Sequence, residues 1–242
     1  MKKILSLFAC ALFTTALFAQ DTIVVPAKKK PIDLSNRSND HLLLQFGYTN
    51  WASAPDSVKT SGFSKSINIY FMLDFPFKTN PKLSIAIGPG ISTDHILFSK
   101  TYVGIKDITP TLRFSDRSDT DHFKKTKIAT AYLEAPLELR FTSDPLNPGK
   151  SFKAAIGVKI GTLISAHTRN SKYEDRNNNT LNDYVMKESS KRFFNKNRFV
   201  ATARVGMGHF TLYGSYQLNS LFKEGAGPQV KPFSIGITLS GL

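Results

Sequence analysis

The chain is 242 residues long, and 41% hydrophobic with 12% aromatic residues is too apolar for a disordered polymer. It carries 32 Lys and Arg against 18 Asp and Glu, a formal net charge of +14. The single cysteine, Cys10, excludes a disulfide framework and a thiolate zinc site.

Lys2 and Lys3 precede an apolar stretch from Ile4 to Phe18, and Ala19-Gln20 follows. A basic start, an apolar run and a small residue at the cut are the parts of a secretory signal peptide, read here as residues 1–20. Leu7-Phe8-Ala9-Cys10 is similar to a lipobox, but it follows Lys3 too closely for a full apolar region, so Cys10 is read as part of that region. Residues 21–40 hold Lys28-Lys29-Lys30 between Pro26 and Pro31 and have no hydrophobic period. They read as a flexible periplasmic leader, and residues 41–242 as the folded domain.

Within that domain a period of two recurs eight times, which predicts strands. Leu42, Leu44, Phe46 and Tyr48 oppose Gln45, Gly47 and Thr49. Ile67, Ile69, Phe71, Leu73 and Phe75 oppose Ser66, Asn68, Tyr70 and Asp74. Leu83, Ile85, Ile87 and Ile91 oppose Ser84, Ala86, Gly88 and Gly90. The fourth segment sets Leu133, Ala135, Leu137, Leu139 and Phe141 against Tyr132, Glu134, Glu138 and Arg140. In the fifth, Phe152, Ala154, Ile156, Val158 and Ile160 face away from Lys153, Gly157, Lys159 and Gly161. The sixth alternates Phe199, Ala201, Ala203, Val205 and Met207 with Arg198, Thr202, Arg204 and Gly206. Phe210, Leu212, Tyr216 and Leu218 oppose Thr211, Tyr213, Ser215 and Gln217 in the seventh. The eighth sets Phe233, Ile235, Ile237 and Leu239 against Ser234, Gly236, Thr238 and Ser240.

Connections between the segments alternate in length. Residues 50–62, 99–126, 167–197 and 219–231 read as long polar loops; 76–81, 142–150 and 206–209 read as short turns. Outer-membrane barrels show long loops at one end and short turns at the other. The polar face carries strand charges and many glycines, whereas the apolar face carries almost none. Aromatic residues also gather near both strand ends: Phe75, Phe77, Phe141, Phe152 and Phe210 by the short turns, and Tyr48, Trp51, Phe63, Phe98, Phe199, Tyr216 and Phe233 by the long loops. Two such girdles are expected at the two membrane interfaces. The fold class predicted is all-β: an eight-stranded antiparallel up-and-down transmembrane β-barrel, apolar side outward. A soluble lipocalin-like carrier would turn the apolar side inward.

Residues Ala131–Phe141, with the short turn and the Lys153–Ile164 strand that follow, resemble the outer-membrane β-barrel domain of Bacteroidota type, the PorT-like group. The tail from Tyr216 through Leu221-Phe222 to Pro228, and Pro232 to Ile237, is similar to such proteins as well. The resemblance spans most of residues 41–242 and implies the barrel fold. No functional motif comes with it, so the secretion role of PorT is not carried over. The chain ends Thr238-Leu239-Ser240-Gly241-Leu242, without the terminal aromatic residue common in barrel proteins.

Eight strands enclose an interior that side chains fill. Glu134, Glu138, Arg140, Lys153, Lys159 and Arg204 lie on the polar face and are the candidate lumen network. Pairing of the fourth and fifth segments brings Glu134 near Lys159 and lets Glu138 reach Arg140, Lys153 or Arg204; buried charges demand such partners. A general acid/base pair from Glu134 and Glu138 is the sharper alternative. The long loops are basic: residues 99–127 hold seven Lys and Arg against four Asp, and residues 168–198 hold eight against four acids. They suit contact with outer-membrane lipid and lipopolysaccharide, or with another envelope protein. No nucleic-acid reading motif is present.

Asp175, Asn177 and Asn179 alternate like the start of a Ca²⁺ loop, but Thr180 and Met186 stand where its glycine and glutamate belong. The histidines His41, His95, His122, His167 and His209 are scattered. A lipid-modifying enzyme would need His95 or His167 with Ser99 or Ser165 and an acid, a spacing the sequence lacks. No catalytic residue, metal ligand or cofactor is assigned. The expected function is a non-enzymatic membrane barrel with a structural or interaction role: anchoring, adhesion, or accessory contact with another envelope protein.

Overall fold

A computed structural model describes residues 41–55, 58 and 60–241. The expected signal peptide at 1–20, with Cys10, and the expected leader at 21–40 lie outside the described residues.

The strands are β1 (Leu42–Ala52), β2 (Lys65–Phe71), β3 (Leu73–Pro76), β4 (Leu83–Ile87), β5 (Gly90–Phe98), β6 (Thr101–Val103), β7 (Phe114–Asp116), β8 (His122–Thr142), β9 (Phe152–Glu174), β10 (Thr180–Ser189), β11 (Asn197–Met207), β12 (Phe210–Gln217) and β13 (Lys231–Ser240). Each pairs antiparallel with its neighbours. β1 pairs with β2, β2 with β5, β5 with β8, and β8 with β9. β9 then pairs with β11, β11 with β12, β12 with β13, and β13 returns to β1. The result is a closed barrel of eight members, which removes sheet edges within the ring.

All eight predicted segments are ring members, two of them broken. β3 and β4 continue β2 and β5 toward the short turns; β3 pairs with β4, and β4 with β8. The breaks fall at Met72 and at Gly88-Pro89, where Pro89 has no N–H to give the ladder. The Met72 amide instead donates to the His41 carbonyl at 2.6 Å.

The alternation sorts the residues as expected. Phe46, Ile69, Leu133, Ile156, Leu212 and Ile235 stand outward and exposed, while Gln45, Ser66, Asn68, Ser92, Thr211 and Thr238 are buried within the ring. The inward side is mainly polar, with a small apolar cluster of Leu43, Tyr70, Met72 and Ala86, the reverse of a lipocalin-like arrangement.

Two expectations need correction. Residues 99–126 and 167–197 are not simply loops, because β8 starts at His122, β9 continues to Glu174, and β10 folds back along it. In these extensions the buried face is itself polar, with His122, Thr126, Thr168, Asn170 and Glu174. Lys124, Lys125 and Lys127 replace apolar residues, so the backbone ladder forms without an alternation to announce it. Trp51 and Phe98 do not belong to an outward girdle either: both are buried. Trp51 is in phase with inward Gln45 and Thr49, and Phe98 with inward Ser92 and Asp94. They join Phe194, Leu221, Phe222 and Val230 in an apolar cluster at the long-connection end. The Trp51 and Phe98 rings lie 5.3 Å apart, and Phe222 meets Trp51 edge-on at 5.6 Å. Tilted and edge-on rings are the favoured geometries.

Candidate functional site

The barrel interior holds two charged clusters at different depths. Nearer the short turns, Glu138 is buried and accepts from two guanidiniums. Arg140 Nε donates to it at 2.9 Å and Arg204 at 3.0 Å. Arg140 also lies 3.7 Å from Asp74, which accepts the Ser84 hydroxyl at 2.7 Å. Lys153 is buried at the same end, opposite Thr142 in the ladder. Period two is what converges them: Glu138 and Arg140 are alternate residues of β8, and Arg204 projects from β11 across the interior.

Nearer the long connections, Arg198 contacts Asp94 at 2.8 Å and Glu134 at 3.3 Å. Tyr70 donates to Glu134 at 2.6 Å. Lys159 donates to the Tyr70 hydroxyl at 3.1 Å and to Gln45 at 3.0 Å. The expected neighbours Glu134 and Lys159 are thus joined through Tyr70. Gln45, Asn68 and Ser92 extend the chain of bonds across three strands. Each cluster sets two carboxylates against at least two cations, which is what buried charge requires. Among the six expected residues, Glu138, Arg140 and Arg204 meet directly, Glu134 and Lys159 meet through Tyr70, and Lys153 is buried nearby. Asp94 and Arg198 join the network beyond those six. Extending the inward phase Gly90, Ser92, Asp94 finds the first, and Arg198 stands on the polar face of its segment.

Beyond the ring, β9 and β10 form a hairpin with the start of β8 on its other side. Among the described residues β10 pairs only with β9, and its Leu181, Tyr184 and Val185 are exposed. Asp175 shapes the turn. Its carboxylate accepts the amides of Asn177 at 2.8 Å and Asn179 at 2.9 Å, and the Asn179 side chain with these amides holds it below the usual carboxylate range. Both oxygens of Asp175, the first position of the calcium-like pattern, are therefore engaged within the turn. Among the described residues no group of three or more His, Cys, Asp or Glu is placed to hold a metal.

Two cavities flank this hairpin. One, of about 310 Å³, is lined by Tyr102, Arg117, His122, Asn170, Tyr173 and Tyr184 among others. Here burial, then the Asp107 carboxylate that accepts the Tyr102 hydroxyl at 2.8 Å, pushes that phenol up to about 12. The other, of about 590 Å³, lies on the outer wall between Phe63 and Arg169. His95 and His167 stand in one cross-strand row on either side of Ala129. His95 Nδ1 lies 3.4 Å from Lys127 Nζ, and among the described residues no hydrogen bond joins either histidine to Ser99 or Ser165.

The sequence matches the family described as outer membrane protein beta-barrel domain over residues 18–224. The chain belongs to that family. This membership places the barrel in the outer membrane, in agreement with its outward apolar side. Comparison with curated proteins finds no match. Among solved structures, the barrel is similar to Ail, the attachment invasion locus protein of Yersinia pestis. The identity is 11% and the TM-score 0.36, over 84% of this chain and 97% of that one. A mutant porin of Rh. blastica is similar at 9% identity and a TM-score of 0.20, over 82% of this chain and 99% of the porin.

Proposed function

We propose that the protein is a non-enzymatic outer-membrane barrel of the PorT-like, Bacteroidota-type group whose interior is a structural plug and whose task is interaction at the cell surface. Residues 1–20 direct export, and the long connections face outside. The interior is read as structural because its carboxylates are bonded to cations or to Tyr70, so neither Glu134 nor Glu138 is free to serve as a general base. An enzyme is disfavoured because His95 has a lysine as its polar neighbour, where an acid would be needed to orient it. Adhesion, anchoring and accessory contact with another envelope protein are the three forms such an interaction takes.

The observation that carries the interaction reading is the β9–β10 hairpin. It stands clear of the ring, the outer edge of β10 is unpaired among the described residues, and Leu181, Tyr184 and Val185 are exposed on that strand. An exposed edge strand with apolar side chains invites pairing. The test replaces residues 175–189 with a short turn. The variant is expected to reach the outer membrane at normal levels and to lose surface cross-links or adhesion. Unchanged cross-linking and adhesion would remove the hairpin from the function.

A further inference from the structure

We infer that the outer wall of the barrel, where β5, β8, β9 and β10 meet, binds the phosphates of an acylated, multiply phosphorylated glycolipid of the outer leaflet. The inference rests on the orientation proposed above. Lys127 of β8 lies directly opposite Arg169 of β9, and Arg169 lies directly opposite Lys187 of β10. Like charges placed opposite one another destabilise a sheet, and this row contains two such pairs in succession. Lys65 and His95, paired on β2 and β5, stand one outward step nearer the short turns, in line with Ala129 and His167, and add to the same basic patch. All five point outward, by the same phase that points Ile67, Ile69 and Ile91 outward. Among the described residues no ion pair is formed by Lys65, Lys127, Arg169 or Lys187; the acids of the region, Glu174 and Asp183, pair with Lys124 and Lys172 instead. A repulsive row with no internal counter-charge is accounted for if an external anion completes it.

Depth and width select the kind of anion. Counting along β8 toward the short turns, Lys127 is followed on the outward side by Ala129, Ala131 and then Leu133. Leu133 is in line with Ile91 and Ile69, each about half exposed. On β8 small side chains thus separate Lys127 from the apolar band, as in the interfacial layer of a bilayer, where headgroup phosphates lie. Phe63, 67% exposed and packed beside Tyr48, marks the same boundary with an aromatic ring. Strands lie about 4.8 Å apart, so the cations from β8 to β10 span about 10 Å, wider than one phosphate. The adjacent cavity of about 590 Å³ is open to that headgroup. Acyl chains would lie along Ile69, Ile91 and Leu133.

The test uses the full chain, refolded in zwitterionic micelles and titrated with a doubly phosphorylated, acylated glucosamine disaccharide. Its dephosphorylated form and inorganic phosphate serve as competitors. The variant carries Lys127→Ser, Arg169→Thr and Lys187→Ser. Each basic residue near an anionic surface contributes about fivefold to affinity, so the triple variant is expected to bind on the order of a hundredfold more weakly. Lipid-free, it should unfold at the same temperature as the parent or higher, since the row's repulsion is gone. A merely structural role for these cations would lower that temperature. Should the triple variant not fold, Lys187→Ser, outside the ring, is expected to weaken binding about fivefold. Unchanged binding in the variant that folds would overturn the inference. So would equal binding of the dephosphorylated lipid, or displacement by equimolar inorganic phosphate. Orientation is read separately by labelling Asn178→Cys on intact cells, so its failure leaves the micelle result intact.

Discussion

Replacing Glu138 by glutamine should destabilise the barrel by about 3 kcal/mol, the low end of the roughly 3–5 kcal/mol typical when one partner of a buried charge pair is removed. Glu138 is 3% exposed and accepts from both Arg140 and Arg204. Glutamine keeps one carbonyl acceptor but loses the charge and offers an amide to two guanidiniums that cannot accept. Arg140 retains Asp74 at 3.7 Å, so most of the loss falls on Arg204. A second change, Arg204→Gln, should therefore recover part of the stability by removing the uncompensated cation. The assay is urea unfolding of the detergent-refolded barrel, followed by the mobility difference between folded and heated forms. A cycle of the two single variants and the double isolates the pair. A loss below about 1 kcal/mol, with no recovery in the double variant, would be the behaviour of a solvated pair. It would mean that water fills the interior and that the charges do not plug it.

Other consequences follow from the same packing. Gly47 is opposite Gly236, and a Cβ at Gly47 would overlap the Tyr213 hydroxyl and the Ile235 carbonyl. Gly47→Val should displace Tyr213 from Ser66, now 2.9 Å away, and lower stability by about 1–3 kcal/mol, the cost of overpacking; an unchanged urea midpoint would refute that contact. Trp51→Ala should cost about 3–5 kcal/mol of local stability at the long-connection end. Its signature is new proteolytic cleavage within 99–121 and 218–230 while the barrel still resists cold detergent; cleavage at the parent rate would show that the apolar cluster does not order these segments. The native pKa of Asp175 is depressed, so its contribution to the hairpin turn is present above the ordinary Asp value and is lost as pH falls through the native one. The Asn177 and Asn179 amide resonances should shift together with a midpoint below the ordinary value of about 3.9; a midpoint at or above it would contradict the turn geometry.

The spanning part of the fold was legible because each strand meets two different solvents. Once Glu134 is known to point inward, the face of Leu133 follows, and the same holds along all eight segments. The extensions were hidden because their buried positions, such as Thr126 and Asn170, are polar like their exposed neighbours, so no apolar period of two survives. The break at Gly88-Pro89 was written in the sequence, but only the register shows that β4 and β5 remain in one ring member. Within the interior, alternation placed Glu138 with Arg140, yet it could not choose among cations reaching across the ring. Arg198 therefore takes the place near Glu134 that was expected of Lys159, with Tyr70 between the latter two. Trp51 and Phe98 were legible by phase and obscured by their position near strand ends, where outward aromatics are the rule.

The proposed plug of interlocked charges in the interior predicts that the barrel does not conduct ions. Planar-bilayer recording of the purified, heat-modifiable full chain tests this directly. No discrete conductance steps are expected across the physiological voltage range. Stable ohmic steps from the folded form, absent after boiling, would contradict the plugged interior and make it a water-filled path.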